Sequence, residues 1–132
     1  MTRNYERLST SRHPVAFVPQ LAPMARGILL TAIATLASPL DSAAVRELYT
    51  TRFGDEPFVQ LLADGTLPET RQVRGSNRCD LSVMTVHGGQ TVIAMAAIDN
   101  LVKGAAGQAI QNLNLQLGWP EHWGLPVHGN PW

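Results

Sequence analysis

Apolar positions recur along this chain in two periods, and each change of period marks an element boundary. Residues 14–20 are apolar and β-prone (Val15, Phe17, Val18), which predicts a strand. Pro19 and Pro23 bend the chain ahead of Arg26 and Gly27. Residues 28–36 form a second apolar run with β-branched Ile28, Thr31, Ile33 and Thr35, and predict a buried strand. From residue 38 the period lengthens. Val45, Leu48, Tyr49 and Phe53 fall on one helical stripe, and Gly54 closes it. Ser38 with Asp41 resembles a capping box, or Asp41 caps alone. Arg46 and Glu47 read as solvated charges on the outer face. Residues 57–62 predict a short strand closed by Asp64-Gly65, and residues 70–74 are a candidate strand. Gly75-Ser76-Asn77 is turn chemistry. Residues 81–86 and 91–98 are strand-like, joined through His87-Gly88-Gly89-Gln90, where both glycines suit positive φ.

The chain is organised around residues 97–118. Asp99 and Asn100 are good helix-capping types. Val102, Ala106, Ala109, Leu113 and Leu117 then repeat at three- and four-residue steps, and Gly118 followed by Pro120 stops the helix. Its first turn and a half, Gly104-Ala105-Ala106-Gly107, carries almost no side chain. Each glycine costs a helix about 1 kcal/mol relative to alanine, so a compensating reason is required. Tight packing on a sheet supplies one. A ligand at the amino end, where free N–H groups favour anions and polar groups, supplies the other.

The order strand, strand, helix, strand, strand, hairpin, helix predicts an α+β fold with a mostly antiparallel sheet covered on one face. The expected organisation is a polar leader over 1–13, a domain over 14–118 ending in the long helix, and a proline- and tryptophan-rich tail over 119–132 lying on the domain. Ten basic and ten acidic side chains balance, which gives no electrostatic support to a nucleic-acid or membrane-surface role. Cys79 is the only cysteine, so no intrachain disulfide forms and a cytoplasmic setting is the default. The leader lacks the apolar core of a signal peptide, and no apolar run is long enough to span a bilayer.

Candidate chemistry is sparse. Cys79 sits beside Arg78, which favours a thiolate, and Asp80, which opposes it, so a packed thiol is the simpler reading. His13, His87, His122 and His128 have no metal-type spacing, and no metal site is expected. Asp80 and Asp99 stand at strand ends, where carboxylates cap backbone. Arg26, in a proline-bent loop before Gly27, either caps carbonyls or grips a carboxylate or phosphate. There is no GxGxxG motif and no phosphate-cradling loop.

Three segments carry a resemblance: VAFVPQLAPMARGILLT (15–31), RGSNRCDLSV (74–83) and IDNLVKGAAGQAIQNLNLQLG (98–118). In order and spacing they are similar to the carboxy-terminal part of N-acetyl-gamma-glutamyl-phosphate reductase, with the tail outside the match. The resemblance implies a fold like the carboxy-terminal domain of glyceraldehyde-3-phosphate dehydrogenase-type enzymes. It implies NADPH-dependent reduction of an acyl phosphate, N-acetyl-glutamyl phosphate, to a semialdehyde in arginine biosynthesis. NADP would be held largely by a nucleotide domain outside this sequence, and subunits would pair through the sheet. The family's Pro-Gly-Cys nucleophile and histidine acid/base segment have no counterpart here; Cys79 aligns with a non-catalytic position, and Gln20 stands where many members carry histidine. No residue is therefore expected to be catalytic, and the chain is expected to be inactive alone. The resemblance assigns Asn100 to the nicotinamide amide, Lys103, Gly104 and Gln108 to the cofactor-facing side of the helix, and Arg26 to the acyl-substrate pocket. Without the nucleotide domain, the stripe from Val102 to Leu113 is expected to be partly exposed. A stand-alone dimerisation or interaction module derived from such an enzyme, and a portion of an aspartate-semialdehyde dehydrogenase, are the alternatives.

Overall fold

The protein is described by a computed structural model over residues 15–129. The expected leader and Trp132 lie outside the described residues. The elements are β1 (Ile28–Thr35), α1 (Ser42–Phe53), β2 (Val59–Leu61), α2 (Thr70–Val73), β3 (Cys79–Val86), β4 (Thr91–Ile98), a π-helical segment (Val102–Ala106) and α3 (Gly107–Gln116).

One four-stranded sheet runs in the order β1-β4-β3-β2. β4 pairs antiparallel with β1, Ile28 opposite Ile98, and with β3, Val86 opposite Thr91. β2 joins β3 in parallel, Val59 opposite Cys79. The mostly antiparallel α+β expectation holds. The β3–β4 hairpin turns through His87, Gly88 and Gly89, all at positive φ. His87 shares the left-handed region that its two glycines were expected to occupy alone.

Local chemistry sets the helix ends. Asp41 alone caps α1, its Oδ1 accepting from the Ala44 N–H at 2.7 Å. α1 packs on β2 and β3, with Val45 buried and the Ser42 hydroxyl accepting from the Thr85 N–H at 3.0 Å. α3 ends as a Schellman motif: Gly118 lies at φ 69°, its N–H donates to Leu115 O, and the Trp119 N–H donates to Asn114 O.

Several expectations are corrected. Residues 15–20 pair with no strand among the described residues, and the sheet ends at β1. Residues 70–73 form a helix; the turn after them pulls Gly75 onto Asp99 and leaves no partner strand. β1 is a strand, as expected, but exposed at every position, because it forms the sheet edge and no described helix packs broadly on it. Leu48, expected in the α1 stripe, is 59% exposed. Arg46 is not simply solvated: Nη2 donates to Leu62 O at 2.6 Å.

Candidate functional site

The end of β4 carries the densest polar junction described in the protein. Asp99 is fully buried, accepts three backbone N–H groups and pairs with one guanidinium. Oδ1 takes the Leu101 and Val102 N–H groups, at 2.8 and 2.9 Å, so it caps the final helix as expected. Oδ2 takes the Gly75 N–H at 2.6 Å and lies 2.7 Å from Arg26 Nε. Burial pushes this carboxyl up, but the donors at Gly75, Val102, Arg26 and Leu101 outweigh it and hold it below the usual carboxylate range.

Asn100 is not a cap. Its Oδ1 accepts from the Gly27 N–H at 2.7 Å, tying the entry of β1 to the exit of β4. Because an N–H must meet the oxygen, the amide orientation is fixed and the Nδ2 donors face away from that bond. Gly27 is required there: φ is +114°, and a Cβ would stand 2.6 Å from Thr70 Cβ. Arg26 is anchored through Nε only, with its side chain 31% exposed. Among the described residues nothing engages its terminal nitrogens.

The first helical turn is wound as a π-helix, with the Gly104 N–H donating to Asp99 O at 2.8 Å and the Ala106 N–H to Leu101 O at 3.1 Å. Such segments recur at functional sites. Gly104, Ala105 and Ala106 are exposed and present backbone to solvent. The two glycines differ in cause. At Gly107 a Cβ would collide with Asn77 Oδ1 and stand 2.8 Å from Val102, so packing requires it. At Gly104 the nearest atoms would be Asp99 O at 3.3 Å and the Ile28 and Ile98 methyls at 3.6 Å, so packing alone tolerates a methyl there.

The structure thus brings Arg26, Asn100 and Gly104 to one corner. Gln108 lies one turn on, with Nε2 donating to Asn112 Oδ1 at 2.9 Å. Lys103 turns elsewhere: Nζ donates to Gln111 Oε1 at 2.6 Å and lies 5.3 Å from the Phe58 ring centre. Burial lowers the Lys103 ammonium, against the Cys79, Glu121 and Glu56 charges that raise it. Burial raises the Cys79 thiol, with Lys103 opposing and Asp80 reinforcing, so this cysteine is no ready nucleophile. Asp80 caps no backbone; it is buried and grips Arg78, Oδ1 2.6 Å from Nε and Oδ2 3.0 Å from Nη2. No group of His, Cys, Asp and Glu among the described residues is arranged to hold a metal ion.

The helix start is exposed at Gly104, Ala105 and Ala106. A depression of about 250 Å³ lies elsewhere, over Leu62, Leu67, Glu69, Arg78 and Asp80. α3 buries Gly107, Gln111 and Asn114, while Ala106, Ala109, Leu113 and Leu117 are exposed. Sequence reasoning identified the apolar stripe and missed the buried polar one. Its signal was present: Gly107, Gln111 and Asn114 recur at the same helical steps.

The semialdehyde dehydrogenase dimerisation domain, as a family model, matches residues 1–100. The N-acetyl-gamma-glutamyl-phosphate reductase of Geobacter sulfurreducens is 46% identical over 125 residues, 95% of this chain and 36% of that relative. The enzymes of that name from Saccharopolyspora erythraea and Laribacter hongkongensis are 49% and 50% identical, over 87% and 86% of the chain and 34% and 32% of theirs. The chain spans about a third of the length of the curated relatives it matches. The 95% match leaves too few residues over to exclude the tail, which was expected to stand outside the resemblance. Aspartate semialdehyde dehydrogenase II of Vibrio cholerae, solved in complex with ASA, shares the fold with a TM-score of 0.57 at 19% identity, over 70% of this chain and 27% of that one. On the match to residues 1–100, the chain belongs to the semialdehyde dehydrogenase dimerisation-domain family.

Proposed function

We propose that this chain is the dimerisation portion, carboxy-terminal in the parent enzyme, of an NADPH-dependent N-acetyl-gamma-glutamyl-phosphate reductase, and that it is inactive without a nucleotide domain. The curated relatives carry that enzyme's name at close to half identity. The single observation that carries the site is the Asn100 amide. Its oxygen is spent on the Gly27 N–H, so its donors are oriented beside a helix start stripped of side chains. An amide held this way presents N–H to a carboxamide oxygen, the polar group of a nicotinamide.

NADPH, when bound, supplies the hydride. In this reading the chain's own residues bind and orient. Asn100 fixes the nicotinamide plane, exposed Gly104 lets the ring approach backbone, and Gln108 flanks it. Arg26, pinned through Nε by Asp99, offers its terminal nitrogens to a substrate carboxylate or phosphate. Lys103 takes a structural part, holding Gln111.

Reconstitution tests the proposal. The full chain, mixed with a separately expressed nucleotide-binding portion of a related reductase that carries the catalytic cysteine, is expected to oxidise NADPH only when N-acetyl-glutamyl phosphate is supplied. Each part alone is expected to be silent. Failure of every pairing, with both parts folded, would contradict it and favour a free-standing dimerisation module.

A further inference from the structure

We propose that residues 119–129 form a strap that fixes the Arg26–Asn100 corner at a distance, with Asn114 as its positioning residue. Asn114 is 3% exposed, and Nδ2 donates to two carbonyls of the strap, Glu121 O at 3.0 Å and Trp123 O at 2.9 Å. Gln111 Nε2 meets Glu121 Oε1 alongside. So folded, the strap buries Leu125 and turns Pro126 O to accept from the Asn77 N–H at 2.7 Å. It ends with Gly129 against the Gln72 carbonyl, where a Cβ could not fit.

The turn gripped by the strap is the one that grips Asp99. The Ser76 hydroxyl donates to Val73 O at 2.8 Å and rigidifies the turn, and Gly75 donates to Asp99 Oδ2. Asp99 then holds Arg26, and Asn100, next in the chain, holds Gly27. Hydrogen bonds and the short stretches of chain between them therefore connect Trp123 to Gly27, by way of Pro126, Asn77, Gly75, Asp99 and Asn100. The seat of α3 is polar, Gln111 and Asn114 over Asn77, and not an apolar contact that can slide. This buried polar seat leaves Asn77 Oδ1 without a partner but ties α3, the strap and the turn together, so releasing one end loosens the other. That the corner receives a nicotinamide rests on the proposed function; the strap is a property of this fold, and its test uses no cofactor.

The test is amide hydrogen exchange on the full chain, followed by NMR. Asn114→Asp keeps the size of the side chain and removes both donors, without touching the turn or the corner. Trp119 and Asn77 are expected to lose protection, reporting release of the strap. Gly75 and Gly27 are expected to exchange at least about tenfold faster, while Thr85, held by Ser42 at the far end of β3, stays within about twofold. Release at Asn77 with Gly75 and Gly27 unchanged overturns the proposal. So does a uniform rise that includes Thr85, the pattern expected of Val45→Ala in α1. Should Asn114→Asp not fold, Gly129→Ala presses the end of the strap off Gln72 and is read against the same outcomes.

Discussion

Asp99 sets the character of the site at the scale of single residues. A buried carboxylate with three N–H donors and a guanidinium beside it is stabilised only while it is charged. Its folded pKa is lowered, so its contribution is present above the unfolded value of about 4 and is lost as pH falls through the folded value. Urea denaturation is therefore expected to show stability falling from about pH 5 towards pH 2. Asp99→Asn is expected to cost about 2–3 kcal/mol at pH 7 and to flatten that acid slope. An unchanged slope in the variant would remove Asp99 from its central position. The sequence shows Asp99 as a cap, and it is one. Its grip on Arg26 and Gly75, residues 73 and 24 positions away in the chain, is a tertiary fact that no local pattern carries.

Among elements, the final helix separates what local chemistry can and cannot tell. Its stop at Gly118 and the hairpin glycines were legible because one positive φ defines each. The choice of buried face was not. Apolar spacing favours Ala106, Ala109 and Leu113, yet the described fold buries Gly107 against Asn77 and Gln111 and Asn114 under the strap. The apolar stripe is left outward, as the sequence predicts for a helix that meets a nucleotide domain in the proposed enzyme. The same limit explains α2: residues 70–74 carry no strong period, and the turn onto Asp99 decided their form. The two helix glycines yield a paired prediction. Gly107→Ala is expected to lose about 2 kcal/mol or more to the clash with Asn77 and Val102. Gly104→Ala is expected to stay within about 1 kcal/mol of the parent, helix propensity offsetting a slightly tight contact. Thermal denaturation checks both, and equal losses would assign Gly104 to packing after all.

For the molecule as a whole, β1 is the unfinished edge. Among the described residues, Ile28, Leu29, Leu30 and Ile33 are exposed along a strand with one unpaired side, an arrangement isolated proteins avoid. The family is a dimerisation domain, and the natural cover is a second copy. Sedimentation of the full chain is expected to show a dimer at micromolar concentration, and Ile33→Arg, at a position 69% exposed, a folded monomer. A parent that stays monomeric would place the contact elsewhere. No helix among the described residues is long and apolar enough to cross a membrane.

The Arg26–Asn100 corner, as one half of the proposed nicotinamide site, is probed by the KM for NADPH of the reconstituted enzyme carrying Asn100→Ala in this chain. Loss of one oriented amide contact predicts a rise of about tenfold, in a chain that still folds and still dimerises. A KM equal to that of the parent at full reconstituted activity would contradict the account.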